Sequence, residues 1–386
     1  MRSPRLPTLH HSPAEREKLP VRIAIVPVTC FTEVEAAWRA LEAQAPDLSF
    51  FRSWTWVGCL AEERYPDPVL LRAEAAGCVL GLALFNRRRG RFLLGESGDP
   101  AVDAPFVEHN GPLLGAGAGP EVTAAIMAAA WSVPGVRRLV LSGVPPEVAR
   151  LAGGVPFRVQ ERLAPFLDLA AARASGADWM GMLSANTRQQ LRRALRHYAA
   201  RGPLTVERAG TPEEAQAWLA ALTGLHARRW AARGAPGAFA TPYLRRFHAT
   251  LVARALARDE LDLLRVAAGG HVIGFLYNLR LRGRVLAYQG GFDYEAADGQ
   301  GRPGLTCHAL AISQALAGGE DVYDFLAPAD RYKTSLSSGA TPLAWVEVAP
   351  AFSPLGAAAA LRRLLRPLTA RLQRGPGQAD TRPTRA

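Results

Sequence analysis

The chain contains its own internal copy, and this limits the fold more than any compositional fact. Leu70 to Asn86 reads LLRAEAAGCVLGLALFN and Leu263 to Leu279 reads LLRVAAGGHVIGFLYNL. At a constant offset of 193 residues, Leu70/Leu263, Leu71/Leu264, Arg72/Arg265, Ala75/Ala268, Gly77/Gly270, Val79/Val272 and Gly81/Gly274 are identical. The offset is half of the 386-residue length, so the repeat predicts two units of one kind, in line with a prior of roughly 150 residues per domain.

In the second copy, Leu263 to Ala268 alternates as a strand, Gly269-Gly270 forms a two-residue hairpin turn and His271 to Leu281 returns. Arg282-Gly283 turns the chain into a third strand, Arg284 to Phe292. A glycine-rich loop, Asp298 to Gly304, leads into a helix with the apolar stripe Leu305, Ala309, Ile312 and Leu316, closed by Gly318-Gly319. A strand at Val322 to Leu326 follows. The first copy gives strands at Val69 to Glu74, Cys78 to Phe85 and Arg91 to Glu96, then an irregular segment, a helix at Glu121 to Ser132 and a strand at Val136 to Leu141. Its corresponding loop has Asn110-Gly111-Pro112 but no Arg-Pro-Gly. The fold class predicted is α+β (mixed α/β), each unit a mainly antiparallel mixed sheet flanked by helices. The expected divisions are a basic tail at 1–20, a first unit at 21–172, a second at 173–350 and a basic C-terminal helix and tail at 351–386.

With 49% hydrophobic and 21% charged residues, collagen, coiled coil and wholesale disorder are excluded. The net charge of +12 lies mostly in the tails: residues 362–386 carry +6 and residues 1–20 carry +2, leaving a mildly basic body. Sequence reading of nucleic acid therefore lacks support. Cys30, Cys59, Cys78 and Cys307 show no C-x-x-C pair, which fits reduced thiols, a cytoplasmic location and no metal site. The N-terminus lacks the apolar core of a signal peptide, and no apolar run approaches the roughly 18 residues of a membrane span. Leu355 to Arg374 is an arginine-rich amphipathic stretch interrupted by Pro367, open to contact with an anionic membrane surface or to packing on the body.

Several residues point to chemistry. A glycine loop feeding a helix N-terminus presents unpaired N–H groups to phosphate, with Arg302 available as a clamp and Gly304 in the first turn. It is not a P-loop, since no Gly-Lys-Ser/Thr follows. Gly290-Gly291, inside a strand, marks a bulge or a close approach, and a bulged strand offers N–H groups to a substrate carbonyl. Only Lys18 and Lys333 are lysine among 46 basic residues, so Lys333 is the one ammonium of the body. Asp324 is the nearest carboxylate candidate for a base or ammonium partner. Arg188, Arg192 and Arg196 form a helical stripe that either meets an anion or is simply solvated. His226 and Trp230, one turn apart, line a pocket or belong to a core or rim. No H-E-x-x-H or G-x-S-x-G occurs.

Three antiparallel strands, an Arg/Gly loop, a helix and a strand resemble the Gcn5-related N-acetyltransferase (GNAT) fold. Leu225-His226 to Trp230, Tyr288-Gln289-Gly290-Gly291-Phe292-Asp293, Pro303-Gly304, Asp324-Phe325-Leu326 and Tyr332-Lys333 are, in order, similar to the BioF2-like acetyltransferase family. That family is related to CelD-type proteins and to FemAB-like aminoacyltransferases with two such domains in tandem. The second half, about 184 to 348, carries nearly all of the likeness, and Phe50 to Trp56 is a weaker echo. The sequence departs from the pattern at Pro328-Ala329, where a glycine often precedes Tyr-Lys, and at Leu336, in place of a common aromatic.

The resemblance implies an N-acyltransferase using acetyl-CoA or another acyl-CoA, with a small-molecule, glycan or peptide amine as acceptor, in polysaccharide or envelope metabolism. It implies a donor site at Gly290, Gly291, Arg302 and Gly304, catalytic roles for Asp324, Tyr332 and Lys333, and substrate contacts at His226 and Trp230. Two alternatives stay open: a FemAB-like enzyme using aminoacyl-tRNA, and a non-catalytic binding protein in exopolysaccharide assembly.

Overall fold

The computed structural model describes residues 20–103, 107–176, 178–297 and 301–362. The N-terminal tail, the first three residues of the glycine loop (Asp298 to Gln300) and the arginines beyond Arg362 lie outside the described residues. Of the expected C-terminal helix, residues 354–362 are helical.

In chain order the elements are β1 (Arg22–Pro27), α1 (Phe31–Glu42), α2 (Trp54–Arg64), β2 (Pro68–Ala75), β3 (Cys78–Arg88), β4 (Arg91–Leu94), β5 (Leu113–Leu114), α3 (Pro120–Ala130), β6 (Arg138–Val144), α4 (Pro146–Leu151) and β7 (Val155–Asp168). They continue as α5 (Leu169–Ser175), α6 (Ala185–Ala199), β8 (Leu204–Arg208), α7 (Pro212–Ala231), α8 (Pro242–Leu256), β9 (Leu261–Ala268), β10 (His271–Leu281), β11 (Arg284–Phe292), α9 (Pro303–Ala317), β12 (Val322–Asp324), α10 (Arg331–Ser335) and β13 (Gly339–Ala349).

All strands join one sheet, in the order β1-β2-β3-β4-β6-β13-β7-β12-β11-β10-β9-β8, with β5 beside β3. The order is the same from either end, with β13 lying against β6 and β7 against β12. Only β4–β6 and β11–β12 are parallel. The repeat extends to register. Ala73 faces Gly81 and, past a bulge, Glu74 faces Val79; 193 residues on, Val266 faces Gly274 and Ala267 faces Val272. The turns repeat as well, with Ala76-Gly77 and Gly269-Gly270, and then Arg89-Gly90 and Arg282-Gly283, all at positive φ.

On one face, α3 covers the first half of the sheet through Val122, Ile126 and Met127. The helices α6 and α9 cover the second half through Leu191, Cys307 and Ile312. On the other face α1 and α2 meet α7 and α8 in a shared core of Trp38, Trp54, Trp56, Leu222, Phe247 and Tyr277. Burying each such large apolar side chain stabilises by roughly 1.5–3 kcal/mol, so this core fixes the two halves against each other. The helices α7 and α8 start where Thr211-Pro212 and Thr241-Pro242 place a capping hydroxyl before an N1 proline; the hydroxyls accept from the N–H of Glu214 and Leu244 at 3.2 and 3.1 Å.

Two expectations shift. The strand expected at Val322 to Leu326 ends at Asp324, because Leu326 adopts φ +59 and leaves the sheet. The bulge expected at Gly290-Gly291 falls at Tyr288, since Tyr277 pairs with Gln289 and Asn278 with Ala287. Gly291 instead admits helix α7: a Cβ there would lie 2.6 Å from the Leu222 carbonyl oxygen.

Candidate active site

The strands β11 and β12 pair only from Arg284–Val322 to Leu286–Asp324. Beyond this point β11 bulges at Tyr288 and runs on to Phe292, while the chain after β12 turns away at Leu326. The strands splay, and among the described residues the β12-facing edge of β11 has no strand partner past Leu286. Such an edge offers backbone N–H groups to an extended ligand.

The mouth of the splay is built on Asp324, which is fully buried. Arg284 Nη1 donates to Asp324 Oδ2 at 2.9 Å and the Leu326 N–H donates to Oδ1 at 2.8 Å. Lys333, on α10, donates from Nζ to the Leu326 carbonyl oxygen at 2.9 Å. The N–H of Ala327 donates to Glu108 Oε2 at 2.7 Å. Three side chains thus hold a turn whose left-handed Leu326 is costly for a branched residue.

Glu108 belongs to the other half of the chain. Its loop is anchored by the buried Asn110, whose Nδ2 donates to the carbonyls of Leu94 and Ser142 at 3.1 and 3.0 Å. Ser49 Oγ donates to the His109 carbonyl at 2.6 Å. Gly143 makes room for this loop: at φ +64, a Cβ would sit 1.9 Å from the Val107 carbonyl oxygen. His109 Nε2 lies 3.1 Å from Asp324 Oδ2, within ion-pair distance but off the line of a hydrogen bond.

Burial dominates the electrostatics. It pushes the Glu108 carboxyl up to about 7, opposed by the Ala327 N–H, His109 and Lys333 and assisted by Asp324. Burial also lowers the Lys333 ammonium, opposed by Glu108, Asp330 and Asp324. A carboxyl near 7 beside an ammonium is poised to accept a proton at neutral pH. Sequence reasoning missed Glu108, whose only local signal is the Glu-His pair before Asn110-Gly111-Pro112 in the irregular segment.

The other sequence-derived residues lie on α7, β11, α10 and the start of α9. Tyr332 is 43% exposed, its ring 5.7 Å from His308. His308 is buried, bonds Tyr323 Oη at 3.0 Å and is pushed down to about 3 by burial. His226 is a buried staple: the Ala238 N–H donates to Nε2 at 3.2 Å, so Nδ1 carries the proton toward the Gly290 carbonyl at 3.1 Å. It fixes the end of β11 that Gly290 occupies. The Trp230 ring lies tilted beside it at 5.6 Å and is half-buried. Arg302 is the exposed N-cap residue of α9, its Nη1 donating to Gln190 Oε1 of α6 at 3.1 Å. Gly304 packs under the Phe292 ring. In the arginine stripe, Arg188 is turned to the Gly181 and Leu183 carbonyls, while Arg192 and Arg196 are exposed. Among the described residues no group of three or more His, Cys, Asp or Glu side chains is placed to hold a metal ion, and no helix is long and apolar enough to cross a membrane.

An antiparallel sheet flanked by helices, with one parallel pair that splays before a loop and helix, is a GNAT-like α/β fold. Residues 185–334 match the family described as acetyltransferase (GNAT) domain, so the chain carries a GNAT-type N-acetyltransferase catalytic domain. That match spans β11, α9, Asp324 and Lys333; Glu108 lies outside it. No curated protein matches the chain. Among solved structures it is similar to FemX, at 11% identity and TM-score 0.56, covering 84% of this chain and 97% of that one. It is also similar to the C-terminal domain of a putative lysylphosphatidylglycerol synthetase from Agrobacterium fabrum (13%, TM-score 0.53, covering 87% and 96%). A conserved protein of unknown function from Bacteroides thetaiotaomicron shares the fold as well (10%, TM-score 0.52, covering 85% and 100%). A GNAT-type domain implies an acyl-CoA-type co-substrate.

Proposed function

We propose that this protein is an N-acyltransferase that moves an acyl group from acyl-CoA to an amine, a cytoplasmic enzyme acting on small-molecule, glycan or peptide acceptors of polysaccharide or envelope metabolism. The reading extends to two GNAT-like units, 21–172 and 173–350, sharing one sheet through β7 and β13, with donor binding in the second. The observation that carries it is the convergence of Glu108, Asp324 and Lys333 on the mouth of the β11–β12 splay.

The acyl thioester lies along the open edge of β11, with its pyrophosphate at the N-terminus of α9 by Arg302 and Gly304. Backbone N–H groups beyond Leu286 take the thioester oxygen. Glu108 removes a proton from the acceptor ammonium. The freed nitrogen pair forms the C–N bond, the C–S bond breaks, and the second nitrogen proton balances the departing sulfur, toward which Tyr332 is offered. Asp324, engaged by Arg284 and the Leu326 N–H, is a positioning residue that holds the turn, and Lys333 favors the charged carboxylate form of Glu108 that takes the proton.

Calorimetric titration with acetyl-CoA, beside an Arg302→Ala variant, tests the donor assignment. Binding that weakens in the variant is expected. Absence of binding in the wild type overturns acyl-CoA as donor and makes aminoacyl-tRNA the next ligand to titrate.

A further inference from the structure

A cavity of about 440 Å³ opens between the end of α2, the 97–102 loop and Tyr243 of α8. Arg64 lines it with a side chain only 2% exposed. Its Nη2 is held by Asp103, which also accepts from the N–H groups of Ser97 and Gly98 and from the Ser97 hydroxyl, all at 2.8 Å. This clamp fixes the guanidinium plane but leaves Nε and Nη1 enclosed and without a partner among the described residues, three N–H donors in all. Tyr243, its ring centroid 5.5 Å from the Arg64 guanidinium carbon, has an enclosed hydroxyl with no partner among the described residues, and the enclosed Trp56 Nε1–H has none among them either.

Folded chains rarely leave buried donors unpaired, and here Arg64 and Tyr243, which carry four of them, both line the cavity. The nearby carboxylates do not serve them: Glu63 pairs with Arg246, Asp99 with Arg88, and Glu96 accepts from Ser142. The fork of a guanidinium matches the spacing of oxygens on a carboxylate or phosphate. Tyr288 links this cavity to the catalytic cluster. It is the bulge residue of β11, its ring lies 5.7 Å from Trp56, and burial raises its phenol, opposed by the charge of Arg64 and assisted by Glu108 and Tyr243.

We infer that this cavity anchors the acceptor: Arg64 and Tyr243 hold an oxyanion, carboxylate or phosphate, carried by the same molecule whose amine faces Glu108. The inference rests on the acyltransferase reading and narrows its acceptors to anionic amines.

The full-length protein is titrated with inorganic phosphate and with acetate while its tryptophan fluorescence is followed. A saturable change is expected with at least one anion, weakened at least tenfold in Arg64→Gln and at least threefold in Tyr243→Phe. The second variant removes only a hydroxyl without a partner among the described residues, so it decides the matter even where Arg64→Gln does not fold. Acetyl transfer from acetyl-CoA is then compared on O-phosphoethanolamine, β-alanine and ethanolamine. A KM at least tenfold lower for one anionic amine than for ethanolamine is expected, and which one it is separates phosphate from carboxylate. Arg64→Gln erases that preference through KM while acetyl-CoA affinity stays within twofold. Equal use of ethanolamine, or anion binding unchanged in both variants, overturns the inference. If acetyl-CoA fails to bind, the donor reading falls instead, and the anion titration alone decides the subsite.

Discussion

The two halves of the sheet share register, bulge and turn conformation at one offset, yet they differ where chemistry is concentrated. Opposite Leu286 of β11 stands Asp324, whereas the same place in the first half, opposite Leu93 of β4, is held by Val140. In the second half β11 runs nine residues to a helix with Arg302 at its N-cap; in the first, β4 stops after four and the following loop carries Glu108 and His109 across to the other half. In the reading proposed above, the second half holds the donor and the first supplies a carboxylate, so the two halves divide the labor between holding the thioester and activating the amine.

Separate damage to the two loops tests this division. Glu108→Gln is expected to lower kcat by about 10²–10³-fold, the range of a lost general base, with acetyl-CoA affinity unchanged in calorimetry. An equal loss of acetyl-CoA affinity would show that both loops serve the donor. Arg302→Ala is expected to raise the acetyl-CoA KM by roughly ten- to a hundredfold, the worth of a charge-assisted phosphate contact, while kcat at saturation holds.

The pH profile sharpens the comparison further. With the Glu108 carboxyl near 7, kcat/KM rises as pH passes upward through about 7, and Glu108→Gln flattens that limb. Stability runs the other way. A carboxyl raised in the folded state contributes most below its unfolded value and loses that contribution as pH rises through 7. Glu108→Gln is therefore expected to melt higher than wild type at pH 8, by up to about 3 kcal/mol, and to match it near pH 4.

Gly143→Ala attacks the first loop's scaffold. Forcing a Cβ against the Val107 carbonyl at positive φ is expected to cost about 2–3 kcal/mol in denaturant unfolding and to lower kcat by displacing Glu108. His226→Phe gives the smallest effect, about 1–2 kcal/mol from two lost hydrogen bonds, with kcat within a fewfold. A large kcat loss there would place His226 in the chemistry after all.

Much of this was legible in the sequence because it is local. Alternation and paired glycines placed β9, β10 and β11, and the scarcity of lysine drew attention to Lys333, whose Nζ lies on the turn beside Glu108. What escaped is long-range. Nothing around Glu108 announces that it will meet Ala327, 219 residues away, because that meeting depends on how two units dock. The bulge was legible as a glycine signal but misplaced, since Gly291 answers to the backbone of α7 rather than to the bend of its own strand. The unspent guanidinium of Arg64 is visible only once its neighbors are known.

The exchange of β7 and β13 also has a bearing on how the protein is made. Strand β6 is finished at Val144, but its neighbor β13 begins at Gly339. At roughly 5–20 residues per second, a ribosome takes some tens of seconds to deliver that missing strand. Throughout that interval the first half leaves the β13-facing edge of β6 unpaired, and Glu108 has no turn to hold. Assembly of the sheet and completion of the site are therefore one late event, and a chain cut short before β13 leaves the first half of the sheet open at β6.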